Sequence, residues 1–393
     1  FFMNKELKKQ KVFIQPAFFI SACVLAIVGP ALFLASLSGA LPSISISPQT
    51  HATSMLFGFI SALITGYLGG KQKSALAYFI ITIWVIGRIC EIILGEHWLT
   101  YCLYLAYGFV IICLIVPKFK NAKKWRNRSI MPLLCLIASF PFALFFLSFN
   151  VSIFQFSWLS FISLISCLMF FMAGRYLSPA IHRALSTQGL NSSINVQAKL
   201  EGAVIILLFT TFLLSTLQDA GYITGIALIA TSSLVIIRLF RWQVYRLKLN
   251  HADVWSMVIG YGWLAIGLAS LGLSLINQAS LITGFHCITI GALGTLSSSI
   301  ILKTTPSRKN PENKIFYIST TLIALATITR LSAANLGDVM IPVLLFSTLL
   351  WAFNFALILK RLIKRLYICR YNDWAFRRLR LLYETSWQAR GRR

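Results

Sequence analysis

Five histidines are the chain's main candidates for metal chemistry, and two of them sit in apolar stretches built of small residues. His286 opens the run His286-Cys287-Ile288-Thr289-Ile290-Gly291-Ala292-Leu293-Gly294-Thr295, in which Cys287, Gly291, Thr295 and Ser299 recur at every fourth position. On a helix these form one narrow stripe against which a neighbouring backbone can pack closely. His51 opens a matching stretch. There Ser54, Gly58, Ala62, Gly66 and Gly70 form the same kind of stripe, with His51 and Met55 together on the face beside it. Imidazole suits iron, copper and zinc, and thioether sulfur suits haem iron or Cu(I). Two histidines on facing helices are therefore a candidate axial pair for haem, with Met55 as an alternative ligand. The competing reading is structural: a helical histidine often only hydrogen-bonds a neighbour, and a methionine on an apolar face usually packs.

Charged groups in apolar segments are the second signal, because they are costly there and usually face a bundle interior or a water-filled path. Arg88 and Glu91 are three apart and can pair on one helix face. Arg330 lies near the end of another apolar segment, where it either contributes to the same site or snorkels to the headgroups. His51, His286, Arg88, Glu91 and Arg330 are expected to border one cavity, with Arg88 or Arg330 near the propionates of any haem held there.

The elements that must position these residues follow from composition. With 58% hydrophobic and 12% charged residues in 393, the chain is far from the ~25% charge of a soluble domain. Apolar segments of about 20 residues alternate with polar joints, the length a helix needs to cross a bilayer. The expected fold is an all-α, polytopic integral membrane bundle. Spans are expected at about Phe13–Ala40, Thr53–Gly70, Ala75–Leu94, Trp98–Val116, Ile130–Phe149 and Ile153–Gly174, then at about Leu200–Leu217, Tyr222–Phe240, Val254–Ile276, Leu281–Leu302, Ile315–Ala333 and Val339–Leu359, about twelve in all. Met3, behind Phe1 and Phe2, is the expected start. Lys5, Lys8, Lys9 and Lys11 then precede an apolar run too long for a cleaved signal, which reads as an uncleaved first span.

The net charge of +26 would suggest nucleic acid in a soluble protein, but here the basic residues fall on alternate joints. Lys71 and Lys73, the cluster from Lys118 to Arg128, Arg175, Arg183 and Lys199, Arg241 to Lys248, and Lys303 to Lys314 share one side. Glu96, Asp219 and Asp338 lie on the other. The positive-inside rule then places both termini in the cytoplasm. His51, His97 and His286 fall at the outer side, and His182 and His251 in cytoplasmic joints. Residues 1–359 read as one membrane domain and 360–393 as a basic cytoplasmic tail in which Arg377, Arg378 and Arg380 follow aromatic residues. A helix lying on anionic lipid accounts for this tail without a nucleic acid. Eight scattered cysteines with no Cys-x-x-Cys read mostly as buried thiols. Gly69-Gly70-Lys71 lacks the context of a phosphate loop, and ten acidic residues, mostly in joints, argue against paired-carboxylate catalysis.

At these same stretches the sequence resembles the NnrS family, bacterial haem- and copper-containing inner-membrane proteins linked to nitric oxide metabolism. The resemblance rests on Gln15-Pro16-Ala17-Phe18-Phe19, on His51-Ala52 with Met55-Leu56-Phe57-Gly58-Phe59, and on Trp84 with Gly87-Arg88. It continues through Met172-Ala173-Gly174-Arg175, Gly260-Tyr261-Gly262-Trp263-Leu264-Ala265, the His286–Thr295 run and Arg330. It implies a multi-pass inner-membrane protein that binds haem or copper and acts in resistance to nitric oxide and nitrosative stress. Four positions depart from the family. Where it writes His-Ala-His-Glu-Met this chain has His51-Ala52-Thr53-Ser54-Met55; a family histidine is replaced by Val258; and the family's arginine before Pro16 is Gln15. The resemblance thus implies His51 and His286 as ligands of a single haem, Arg88 and Arg330 as electrostatic partners, and copper only through Cys287 or Met55. The alternatives are a transporter of a small solute or metal ion, and a family member that has lost its metals.

Overall fold

The structure is a computed structural model, and it describes residues 11–41, 46–120, 122–147, 151–190, 197–217, 220–304, 313–333 and 336–390. Its long helices are α1 (Gln15–Leu37), α2 (Pro48–Leu68), α3 (Ser74–Leu94), α4 (Trp98–Ile115), α5 (Ile130–Leu147) and α6 (Val151–Thr187). They continue with α7 (Ala198–Leu214), α8 (Gly221–Arg241), α9 (Ala252–Ile276), α10 (Ile282–Thr304), α11 (Asn313–Ser332) and α12 (Met340–Arg390). Ten helices among the described residues are long and apolar enough to cross a membrane. The other two predicted spans are also helical but shorter: the described apolar part of α5 is Ile130–Pro141, and α7 has 17 residues. The all-α membrane bundle expected from composition is what the chain forms.

Successive helices run up and down, so two ends can be told apart. At one end gather the start of α2, the end of α3, the starts of α4 and α10 and the end of α11; this is called the histidine end below. The other is the basic end. There Lys118 Nζ donates to the carbonyls of Leu68 and Gly69, neutralising the last turn of α2, and burial pulls the Lys118 pKa down. Lys303 pairs with Asp253 at 2.8 Å. A two-stranded antiparallel ribbon, β1 (Lys11–Phe13) with β2 (Lys71–Lys73), ties the entry of α1 to the exit of α2. Periodicity does not announce this ribbon, because three-residue strands carry none.

The chain's first and last spans are neighbours: α1 packs against α2 and α12, and Trp351 Nε1 donates to the Ala26 carbonyl at 2.8 Å. A close backbone approach joins α8 to α9. A Cβ on Gly225 would meet the Gly272 carbonyl oxygen at 2.7 Å, and one on Gly272 would meet that of Gly225 at 2.6 Å. Backbone cannot yield as a side-chain tip can. A Gly272→Val variant is therefore expected to lose about 1–3 kcal/mol through overpacking, read as a lowered thermal midpoint in detergent. Gly262→Val is the control, since nothing lies within 4 Å of that position.

Several boundaries differ from expectation. Helix α2 starts earlier, because Ser47 is a true N-cap, its Oγ accepting from Thr50 N at 3.0 Å, and Pro48 fills the first helical turn. His51, expected at the outer end of this helix, thus lies a full turn inside it. Helix α6 runs 37 residues, through Pro179 and well past Gly174. Leu177, Ala180, Ile181, Ala184 and Leu185 form a buried stripe at helical spacing, and tertiary burial outweighs both the polar composition and the proline. His182 and Arg183 therefore lie on a helix. The last span and the tail are one helix of 51 residues. Side chains from 368 onward, those of Arg377, Arg378 and Arg380 among them, lie outside the described residues, as do Lys5, Lys8, Lys9, Asp219, Arg308 and Lys309. Of the described cysteines Cys23, Cys167 and Cys287 are buried, whereas Cys102 and Cys113 face outward. An outward thiol costs little on a surface that meets lipid.

Candidate site at the histidine end

The two histidine-bearing stretches share a backbone feature that the sequence does not reveal. Residues Ser54–Phe59 of α2 and Cys287–Gly294 of α10 are π-helical, so the helix widens three residues after His51 and directly after His286. Such turns disturb the backbone ladder and are frequent at functional sites. In both helices a serine compensates. Ser61 Oγ donates to the Gly58 carbonyl and Ser297 Oγ to the Gly294 carbonyl, each at 3.2 Å. The Gly58 carbonyl also accepts from Trp84 Nε1 at 3.1 Å, which ties α2 to α3.

The small-residue stripes do what their spacing predicts. On α10, Gly291 lies under Trp263 and Cys287 against Gly267, while Ser299 Oγ lies 2.6 Å from Ser256 Oγ; all three partners belong to α9. On α2, Gly66 meets Phe18 and Phe19 of α1, and Gly58 meets Leu25 of α1 and the Arg88 guanidinium of α3. Gly70 leaves the stripe, its φ of +70° ending the helix. A Cβ at position 58 would collide with Arg88 Nη1. Gly58→Ala is accordingly expected to displace the guanidinium and cost about 1–3 kcal/mol, seen as a lower unfolding temperature than that of Gly262→Ala.

The buried ion pair forms as expected. Arg88 Nη1 donates to Glu91 Oε2 at 2.7 Å, with both side chains less than a tenth exposed. The guanidinium carbon stands 4.2 Å from the Tyr104 ring centroid and 6.0 Å from that of Trp84, so two aromatic faces help offset its desolvation. The hydroxyls of Ser54 and Tyr104 lie beside the Glu91 carboxylate. Arg88, Glu91, His51, Ser54, Thr50 and Gly29 line a cavity of about 40 Å³, enough for two or three waters. Three buried atoms around it have no partner among the described residues: His51 Nδ1, Arg88 Nε and Glu91 Oε1.

His51 also belongs to a second grouping. Its ring stacks on Phe33 of α1, with centroids 4.3 Å apart, and it lies within electrostatic range of His286, with Arg330 acting on both imidazoles. His286 Nδ1 is 2.8 Å from the Ile282 carbonyl. A carbonyl only accepts, so Nδ1 carries the proton and the lone pair of the neutral ring is at Nε2, the arrangement commonly found in metal-ligating histidines. The five expected site residues thus form two overlapping groups that share His51: Arg88 and Glu91 on one side, His286 and Arg330 on the other.

Other candidates fall elsewhere. Met55 is seated on Gly29, where a Cβ would come within 2.5 Å of its methyl group. His97 caps α4, its Nδ1 accepting from Leu99 N at 3.3 Å. Glu96 accepts from Ser47 Oγ at the N-terminus of α2, where the helix dipole favours a negative charge. Among the described residues no three of His, Cys, Asp and Glu gather as a metal site would require. A second, partly buried pair was not expected from the sequence. Arg238 Nη2 donates to Glu201 at 2.6 Å, with the guanidinium between Phe170 and Trp242. The signal available in the sequence was an arginine inside the last turn of an apolar helix.

No curated protein and no solved structure matches the chain. The family described as NnrS protein does match, over residues 16–370. That stretch contains both histidine helices, the Arg88–Glu91 pair and Arg330, and it bears out the resemblance seen in the motifs: the chain belongs to the NnrS family.

Proposed function

We propose that this protein acts in bacterial resistance to nitric oxide and nitrosative stress, as a multi-pass inner-membrane protein holding one haem iron between His51 and His286. The observation that carries this is that two imidazoles from different helices lie within electrostatic range of each other, one with its ligating nitrogen left free by a backbone hydrogen bond and the other with a buried, unpartnered Nδ1. A buried polar atom without a partner calls for one. Bound haem would supply a redox-active iron, which nitric oxide could reach only in place of one of the two imidazoles. The chain's own contribution is positional: Ile282 sets the His286 tautomer, Phe33 holds the His51 ring, and Arg330 provides a cation beside both imidazoles for anionic groups such as haem propionates. Arg88 is already matched by Glu91, so Arg330 carries the larger part of that role.

The residues suit one centre better than two. Thr53 and Ser54 replace the histidine and glutamate of the family pattern, and Thr53 Oγ1 is spent on the Gln49 carbonyl at 2.9 Å. Copper is then left to Met55 or Cys287, which face Gly29 and Gly267 respectively. In this reading the basic end faces the cytoplasm, where Lys and Arg of the joints and tail meet anionic lipid. The test is purification in mild detergent from haem- and copper-replete cells, with bound metals measured and a reduced-minus-oxidised visible spectrum recorded. A haem spectrum with nearly stoichiometric iron and little copper is expected. A metal-free preparation would overturn the reading and favour transport.

A further inference from the structure

A second cavity, of about 80 Å³, lies between α1, α2, α6 and α10, and its wall is almost wholly apolar. Leu63 and Tyr67 of α2, Leu168 and Ala173 of α6, and Leu293 and Ile300 of α10 are among its lining residues. It begins where the two π-helical turns end. Ile60 follows Phe59 on α2, and Leu293 is in the last π-helical position but one on α10. The same two widened turns thus have a histidine at one end and an apolar hollow at the other, roughly 10–14 Å further along at 1.5 Å per residue.

Size and polarity decide what such a hollow can take. Apolar cavities stay dry, and one of roughly 150 Å³ admits benzene or xenon. This one has about half that volume, too little for a ring and enough for a small gas molecule. Its lining offers an ion or a polar solute no compensation for lost water. Leu63, Tyr67, Met172 and Ile300 are only half-buried, so the hollow is reached from the apolar outside of the bundle, the side from which a gas dissolved in lipid arrives.

We propose that this cavity binds a small, uncharged diatomic gas taken up from the bilayer and holds it behind the π-helical turns of α2 and α10. The proposed nitric oxide chemistry explains why a gas would be held there, but binding itself does not depend on any metal.

Met169 and Met172 both line the cavity and provide the probe. Protein labelled with ¹³C at the methionine methyls, in nanodiscs under pressurised dioxygen, should show paramagnetic relaxation at Met169 and Met172 several-fold greater than at Met257, which is fully buried elsewhere. Met340, which is exposed, reports the gas in the lipid itself. Ala173→Leu should abolish the enhancement at Met169 and Met172 while sparing Met340, and Leu63→Ala should increase it, so a filling variant that fails to fold leaves a second arm. Equal relaxation at Met169, Met172 and Met257 would overturn the proposal, as would cross-peaks from lipid acyl chains to Met169 and Met172, which would make the occupant a lipid tail. Gas binding in a metal-free preparation would uphold this inference while the haem reading failed.

Discussion

His286→Ala protein should retain its fold and lose its haem. Outer-shell partners of a metal-ligating histidine are alone worth about 10–100-fold in affinity, so removal of the ligand itself is expected to cost about 100-fold or more. The fold should survive because the ring is only half-buried and its one hydrogen bond goes to the Ile282 carbonyl within the same helix. The check is the iron-to-protein ratio with the haem spectrum, beside a melting curve to show that the bundle persists. His51→Ala should give the same loss, with Nδ1 no longer available beside Phe33. His97→Ala should leave iron unchanged, since that ring caps α4 at the surface. Full haem retention in either His51→Ala or His286→Ala would sink the two-imidazole centre.

Arg88→Leu carries the largest expected cost in stability. Removing one partner of a buried ion pair leaves the other charge uncompensated, at about 3–5 kcal/mol, and Glu91 already has one oxygen without a partner. The loss of two cation–aromatic contacts adds to this. The double variant Arg88→Leu/Glu91→Leu should recover much of the loss, because neither charge then remains. Thermal unfolding followed by size-exclusion in detergent reads both. A double variant no more stable than Arg88→Leu would show that the pair is held by packing around it rather than by mutual neutralisation. Because Arg88 also contacts the Gly58 position, its loss should loosen α2 beside His51, so haem content of the double variant tests whether the two groupings that share His51 are coupled.

Much of the architecture was legible because lipid imposes it. A spanning segment must satisfy its own backbone, so length and apolarity alone mark the helices. The i, i+3 spacing of Arg88 and Glu91 and the four-residue stripes on α2 and α10 predicted contacts that the fold makes, since helical geometry fixes which residues share a face. The motifs were also enough to place the chain in its family. Where packing competes with local signals the sequence was less informative: α6 continues through Pro179.

What the sequence determined by itself is thus the set of helices, their alternation, and which residue types can do chemistry. Only the tertiary structure decided which of those residues meet. It brought His51 and His286 within electrostatic range of each other and of Arg330, seated Met55 against Gly29, left His97 as a cap, and set the Arg88 guanidinium against Tyr104 and Gly58. It also revealed the two π-helical turns and the apolar hollow beyond them. The physical reason is that spacing along a helix fixes only the direction in which a side chain points. Which surface it meets depends on the packing of helices far apart in the chain, and the voids left by that packing belong to no single segment.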